Sequence, residues 1–189
     1  MRKLVHGVGV NDADYNVQKY SKGKYTICPY YSKWVLMLWR CYDPDVNNVR
    51  PTYRDCTVCD EWLVFSNFKA WMEKQDWMGK QLDKDIIIDG NKVYCPEACA
   101  FVSQRTNTFV LKKYQKTDMP LGVHYETKRG NYTSNISING KAVRLGRFDT
   151  AEEAHEKYKE RKREMAIEIA SEESDPRICK AILERFSFN

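Results

Sequence analysis

Asp83, Asp85 and Asn107 are the side chains whose types and spacing could hold a hard cation. In a strand, residues two apart face the same side. A strand over 82–88 would therefore present both carboxylates together. A helix begun at Ser103 would add the Asn107 amide from its first turns. Oxygen ligands of this kind suit magnesium or manganese, and such an ion would stabilise charge on a scissile phosphate. The plainer reading is a pair of solvated strand-end carboxylates partnered by Lys80 and Lys84. The cysteines offer a second centre. Cys56-x-x-Cys59 and Cys95-x-x-x-Cys99 could supply four thiolates to a tetrahedral structural zinc. Against this, Cys59 and Cys99 could be small buried hydrophobes. Cys28, Cys41 and Cys179 have no partner spacing and read as packing residues.

The elements that must position these groups follow from periodicity. Trp34, Met37, Leu38 and Cys41 recur as one face of a helix, and so do Trp62, Phe65, Phe68 and Trp71 over Glu61–Trp71. The second stripe could stack on bases, but at this spacing it reads as core. Pro44, Asn47, Asn48 and Pro51 mark 43–55 as a loop. A strand over Leu82–Ile88, a turn at Asp89-Gly90-Asn91, a strand over Ala98–Val102 and a helix from Ser103 to about Lys113 follow. Residues 1–27 are polar and read as an arm or a loosely packed start. Residues 116–120 read as a linker, and a helix around Pro176–Phe186 closes the chain.

Beyond the linker the pattern changes. Tyr132, Ser134, Ile136 and Ile138 alternate with Thr133, Asn135 and Ser137, and Asn139-Gly140 predicts a type I′ hairpin turn. Val143 and Leu145 are then expected on the apolar face and Arg144 on the other. Thr150-Ala-Glu-Glu153 is a capping box. It opens a helix whose Ala154, Tyr158, Met165 and Ile169 would cover the sheet. Between 120 and 149, Lys128, Arg129, Lys141, Arg144 and Arg147 stand against only Glu126 and Asp149. The positive field therefore belongs to the strands, and nucleic acid is the expected partner.

Gly122-Val123, Gly130-Asn131-Tyr132, Leu145-Gly146-Arg147-Phe148 and Thr150-Ala-Glu-Glu-Ala154 make about fifty residues of this region resemble the ethylene-response-factor (APETALA) DNA-binding domain. The resemblance implies a sheet lying in the major groove of double-stranded DNA. Its exposed face would carry His124, Glu126, Lys128, Asn135, Ser137 and Arg144. Arg144 would be the guanine reader, while Lys128, Arg129, Lys141 and Arg147 would hold phosphates. Glu126, Asn135 and Ser137 depart from the family pattern, which is richer in Arg and Trp.

Roughly residues 30–111 resemble the phage HNH, or beta-beta-alpha-metal, endonucleases. The likeness runs through Arg40-Cys41-Tyr42, Val58-Cys59-Asp60-Glu61-Trp62, Leu82-Asp83-Lys84, Pro96-Glu97 and Asn107. It implies metal-dependent phosphodiester cleavage, with Asp83, Asp85 and Asn107 as catalytic and metal-binding residues. The motif's general base is a histidine, yet His6, His124 and His155 all lie outside the module. Asp83 or Asp85 stands at that place, and Ala98 replaces the central asparagine.

Composition agrees. With 189 residues, 42% apolar and 13% aromatic, the chain can bury a core. Net charge is +5, which permits DNA without proving it. No apolar run is long enough for a membrane span, and the first residues lack a secretory h-region. Seven cysteines are expected to be reduced thiols or metal ligands rather than a disulfide framework. The expected architecture is α+β: an N-terminal arm over 1–27, an HNH-like module over 28–115, and a three-stranded antiparallel sheet on one helix, with a C-terminal helix, over 120–189. The expected function is a phage-type, homing-endonuclease-like DNA endonuclease in the cytoplasm, that of the host if phage-encoded. The alternative is a catalytically degenerate DNA-binding protein, a regulator or an inhibitor of a host system. A third possibility is a basic sheet that meets an acidic host protein.

Overall fold

In the computed structural model, which describes residues 3–111 and 118–187, the chain divides into two units, Met1–Gln104 and Arg105–Asn189. Helices and strands mix in the first, and the second holds a three-stranded antiparallel sheet, so the protein is α+β. Among the described residues no helix is long and apolar enough to cross a membrane.

The first unit is organised around α1 (Pro29–Tyr42), which opens on Pro29 and buries Trp34, Met37, Leu38 and Cys41 along one face. Trp34 donates from Nε1 to the Trp62 carbonyl at 2.7 Å. The segment before α1 is not a loose arm. Val5, Val8 and Val17 pack on the core, and Ala13 is buried in it. At Gly9 a Cβ would stand 2.9 Å from the Trp34 ring, so only glycine lets this segment lie so close to α1. A hairpin of β1 (Gln18–Ser21) and β2 (Lys24–Ile27) follows. The expected loop over 43–55 instead holds α2 (Pro44–Val49), capped by Asp43, and a 3-10 turn at Pro51–Tyr53.

The helix expected over 61–71 is interrupted. A 3-10 turn covers Asp60–Leu63, and α3 runs Phe65–Met72. Val64 is extended because the chain around it pairs with Val10. Val10 donates to Leu63 at 2.8 Å, and Phe65 donates to Val10 at 3.0 Å. Trp62, Phe65 and Phe68 are buried, and Trp71 packs partly buried against them, so this aromatic stripe is core. Two short pairings complete the unit. β3 (Thr57–Val58) runs parallel to β5 (Val93–Tyr94), and β4 (Gln81–Asp83) runs antiparallel to β6 (Ala100–Val102).

The strand expected to reach Ile88 stops at Asp83, for a local reason. Asp83 Oδ1 accepts from the backbone amides of Asp85 and Ile86, at 2.9 and 2.7 Å, and this bends the chain out of the ladder. The strand expected from Ala98 begins at Ala100.

The border between the units falls in α4 (Gln104–Val110). The last residues of the helix expected to reach Lys113, and the first part of the linker expected over 116–120, lie outside the described residues. In the second unit β7 (Val123–Glu126), β8 (Asn131–Ile138) and β9 (Lys141–Phe148) form the sheet in that order. Asn139 and Gly140 both take positive φ, as a type I′ turn requires. Thr150 and Glu153 cap α5 (Ala151–Glu172) reciprocally. This helix packs on all three strands, burying Ala154, Tyr158, Met165 and Ile169, and α6 (Pro176–Arg185) packs against it.

Candidate nucleic-acid interface

The open face of the sheet is set by register. His124 pairs with Thr133, and Thr133 pairs with Arg147. Asn135 pairs with Arg144, and Ser137 with Ala142. Directly opposed residues of an antiparallel pair share a face, as do residues two apart on one strand. His124, Glu126, Thr133, Asn135, Arg144 and Arg147 therefore lie on one side. The other side carries the fully buried Val123 and Ser134.

Arg144 and Arg147 are three apart, a spacing that places them on opposite faces of a regular strand. They share a face here because the register shifts between Ser134 and Asn135. Ser134 pairs with Gly146 and Asn135 with Arg144, so Leu145 is an extra residue on β9. Leu145 therefore has no cross-strand partner, which corrects the simple alternation expected of β9. Periodicity alone could not reveal this bulge.

The expected DNA-binding residues separate into three groups. His124, Asn135, Arg144 and Arg147 are on the open face. Lys128 and Arg129 sit in the β7–β8 turn at one end of the sheet. Lys141 pairs with Ile138 beside the β8–β9 turn, on the helix side, so it is not part of the row formed by Arg144 and Arg147. The face is also polar in its middle. Asn135 Nδ2 donates to Thr133 Oγ1 at 3.2 Å, and Thr133 in turn bonds the His124 carbonyl at 3.3 Å. Glu126 tempers the charge: its carboxylate lies 3.2 Å from Arg147 Nε and 3.6 Å from Arg129 Nε. Among the described residues Arg144, Lys128 and Lys141 make no ion pair. These three cations are available to an anionic ligand without first breaking an internal contact.

In the first unit, Asp83 and Asp85 come together although they do not share a strand. Burial, and next the Asp85 charge, push the Asp83 carboxyl up to about 6. Lys84 is buried at 6% exposure, an unusual place for lysine. Its Nζ donates to the Asn91 carbonyl at 2.7 Å and to Asp85 Oδ2 at 3.0 Å. Asn91 returns two bonds, to the Lys84 and Val93 carbonyls, each at 2.7 Å. The loop is thus tied at both ends, and this organisation fixes the acidic pair. Lys80 is not its partner, since it bonds Asp76 at 2.7 Å. Asp83 and Asp85 are thus two hard oxygen donors whose charges repel each other. Asn107 lies on α4 in the second unit.

The four-cysteine zinc is not assembled. Cys56 neighbours Cys41 electrostatically and donates to the Thr52 carbonyl, whereas Cys59 and Cys99 neighbour Cys95. Burial pushes the thiols of Cys56, Cys59 and Cys99 up, toward the protonated form. Among the described residues no three His, Cys, Asp or Glu side chains form a group that could hold a metal. Cys56 and Cys99 belong to the hydrophobic core, and Cys59 packs against it.

Compared with known proteins, the chain matches no family model, no curated protein and no solved structure.

Proposed function

We propose that the protein is a DNA endonuclease of the HNH type, brought to its target by the three-stranded sheet laid in the major groove of duplex DNA. The observation that carries the reading is the bulge that sets Arg144 and Arg147 side by side on the open face, next to Asn135 and His124. Such an arrangement suits a groove-facing sheet. One guanidinium can bond a base edge bidentately while neighbouring cations hold phosphates. The antiparallel pairing of β4 with β6, with β5 between them in sequence and α4 following, supports comparison with a strand–strand–helix nuclease module. Asp83 and Asp85 would hold a magnesium or manganese ion, which when bound would stabilise charge on the scissile phosphate.

A specific observation favours a second reading, DNA binding without cleavage. None of the three histidines lies between residues 28 and 115, where the nuclease motif keeps its general base.

Supercoiled plasmid incubated with the protein and magnesium or manganese separates the two. Nicking that is lost in Asp83→Ala and Asp85→Ala supports the enzyme. Duplex binding without nicking leaves the second reading. If no duplex is bound even at low salt, both readings fall.

A further inference from the structure

The β1–β2 hairpin projects from the first unit with all of its strand residues exposed. Its base is fixed: the Cys28 amide donates to the Val17 carbonyl at 2.8 Å, and Val17 packs on the core. Its tip is a two-residue turn in which Lys22 and Gly23 both take positive φ, the geometry of a rigid type I′ connection. An isolated two-stranded ribbon is marginal in water, because neither face is covered. This one carries large side chains on both faces and buries none of them. Tyr20 and Tyr25, which pair across the strands, are 75% and 56% exposed.

Its positive charge is one-sided. Lys19 and Lys24 lie on one face, Tyr20 and Tyr25 on the other, and Lys22 at the tip. No acidic residue occurs between Asp14 and Asp43. Among the described residues the three lysines make no ion pair. Lysine ammonium groups are donors that proteins direct at phosphate oxygens. A two-stranded ribbon also has the width that a major groove admits.

We infer that the β1–β2 ribbon is a second duplex-DNA contact, gripping the phosphate backbone through Lys19, Lys22 and Lys24, in addition to the C-terminal sheet. The inference rests on the DNA-handling reading above and extends it: each unit then carries its own grip on the duplex. An acidic protein surface is the competing occupant, and duplex DNA is favoured because the ribbon gathers its cations on one face and at its tip and fits a groove in width.

The test is duplex affinity of the full chain over a salt series, for the native protein and for the combined variant Lys19→Gln, Lys22→Asn, Lys24→Gln. Asparagine is used at the tip because it tolerates positive φ. Three lost phosphate contacts should make the log–log salt slope shallower by about 2.7 and weaken binding at about 0.1 M salt by roughly a hundredfold. The three Lys→Arg changes together should restore the slope, and the thermal midpoint should stay unchanged in both variants. A native slope retained in the neutral variant overturns the ribbon contact while leaving the sheet's role intact. Binding of poly-glutamate with the same affinity and the same lysine dependence overturns the assignment to DNA. Failure of the native protein to bind any duplex at low salt overturns both the ribbon contact and the reading on which it rests.

Discussion

Glu126 and Arg147 form an ion pair across the open face of the sheet, Oε2 to Nε 3.2 Å, with Arg129 3.6 Å from the other carboxylate oxygen. On the proposed reading, in which this face meets duplex DNA, the carboxylate would compete with phosphate for two guanidinium groups. Glu126→Gln should therefore raise duplex affinity severalfold at about 0.1 M salt and steepen the salt slope by about one unit. Folding stability should move by less than about 1 kcal/mol, because the pair is solvent-accessible. Fluorescence anisotropy with a labelled duplex reads the first effect and chemical denaturation the second.

Arg144 pairs with Asn135 near the centre of that face and, among the described residues, makes no ion pair. Arg144→Ala should cost about 1–3 kcal/mol on duplexes selected from a random pool and little on unselected ones. Arg147→Ala should weaken selected and unselected duplexes alike. Equal losses for both variants on both substrates would make Arg144 a phosphate contact.

What could be read in advance divides by the range of the interaction responsible. α1, the β8–β9 turn and the start of α5 were legible because the signals are local: an apolar stripe, Asn139-Gly140, and the Thr150–Glu153 box. The break at Val64 was hidden because its cause is a pairing with Val10, far away in sequence. The early end of β4 depends on a side chain, Asp83, competing for backbone amides, and the bulge at Leu145 depends on register with β8. The candidate site followed the same rule. The residue types on the sheet were visible, but the alignment of Arg144 with Arg147 was not. The carboxylates of the first unit were visible, but the raised Asp83 needs burial to be known.

Gly122 precedes β7 with φ +81°, and a Cβ there would fall inside the Tyr158 ring. Two costs add in Gly122→Ala: the left-handed backbone and the overlap with a buried aromatic ring. Each is worth about 1–3 kcal/mol. The variant should lower the stability of the second unit by at least about 2 kcal/mol and release α5 from the sheet. Thermal unfolding, and hydrogen exchange over 151–158, would show it. An unchanged midpoint would mean that the ring swings aside without loss.

Asp83 gives the fold a pH dependence whose sign is opposite to that of most carboxylates. Its folded value, about 6, lies above the ordinary value of 3.8, chiefly because burial disfavours the charge and next because Asp85 repels it. A group raised on folding favours the folded state while protonated. Its contribution is complete below the unfolded value and is lost as pH rises through the folded one. The first unit should therefore lose roughly 1–3 kcal/mol between about pH 4 and pH 6.5 from this carboxyl. Asp83→Asn keeps an oxygen that can accept from the Asp85 and Ile86 amides but cannot ionise. The variant should match the native protein near pH 4, exceed it in stability at pH 7, and show a flatter stability profile between. Urea unfolding followed by tryptophan fluorescence at several pH values reads this directly, since Trp34 and Trp62 lie in the core of that unit. An equal pH slope in the two proteins would assign the dependence to another group. Magnesium should reverse the effect in the native protein alone, stabilising it at pH 7 by holding both carboxylates ionised, and it should leave Asp83→Asn almost unmoved.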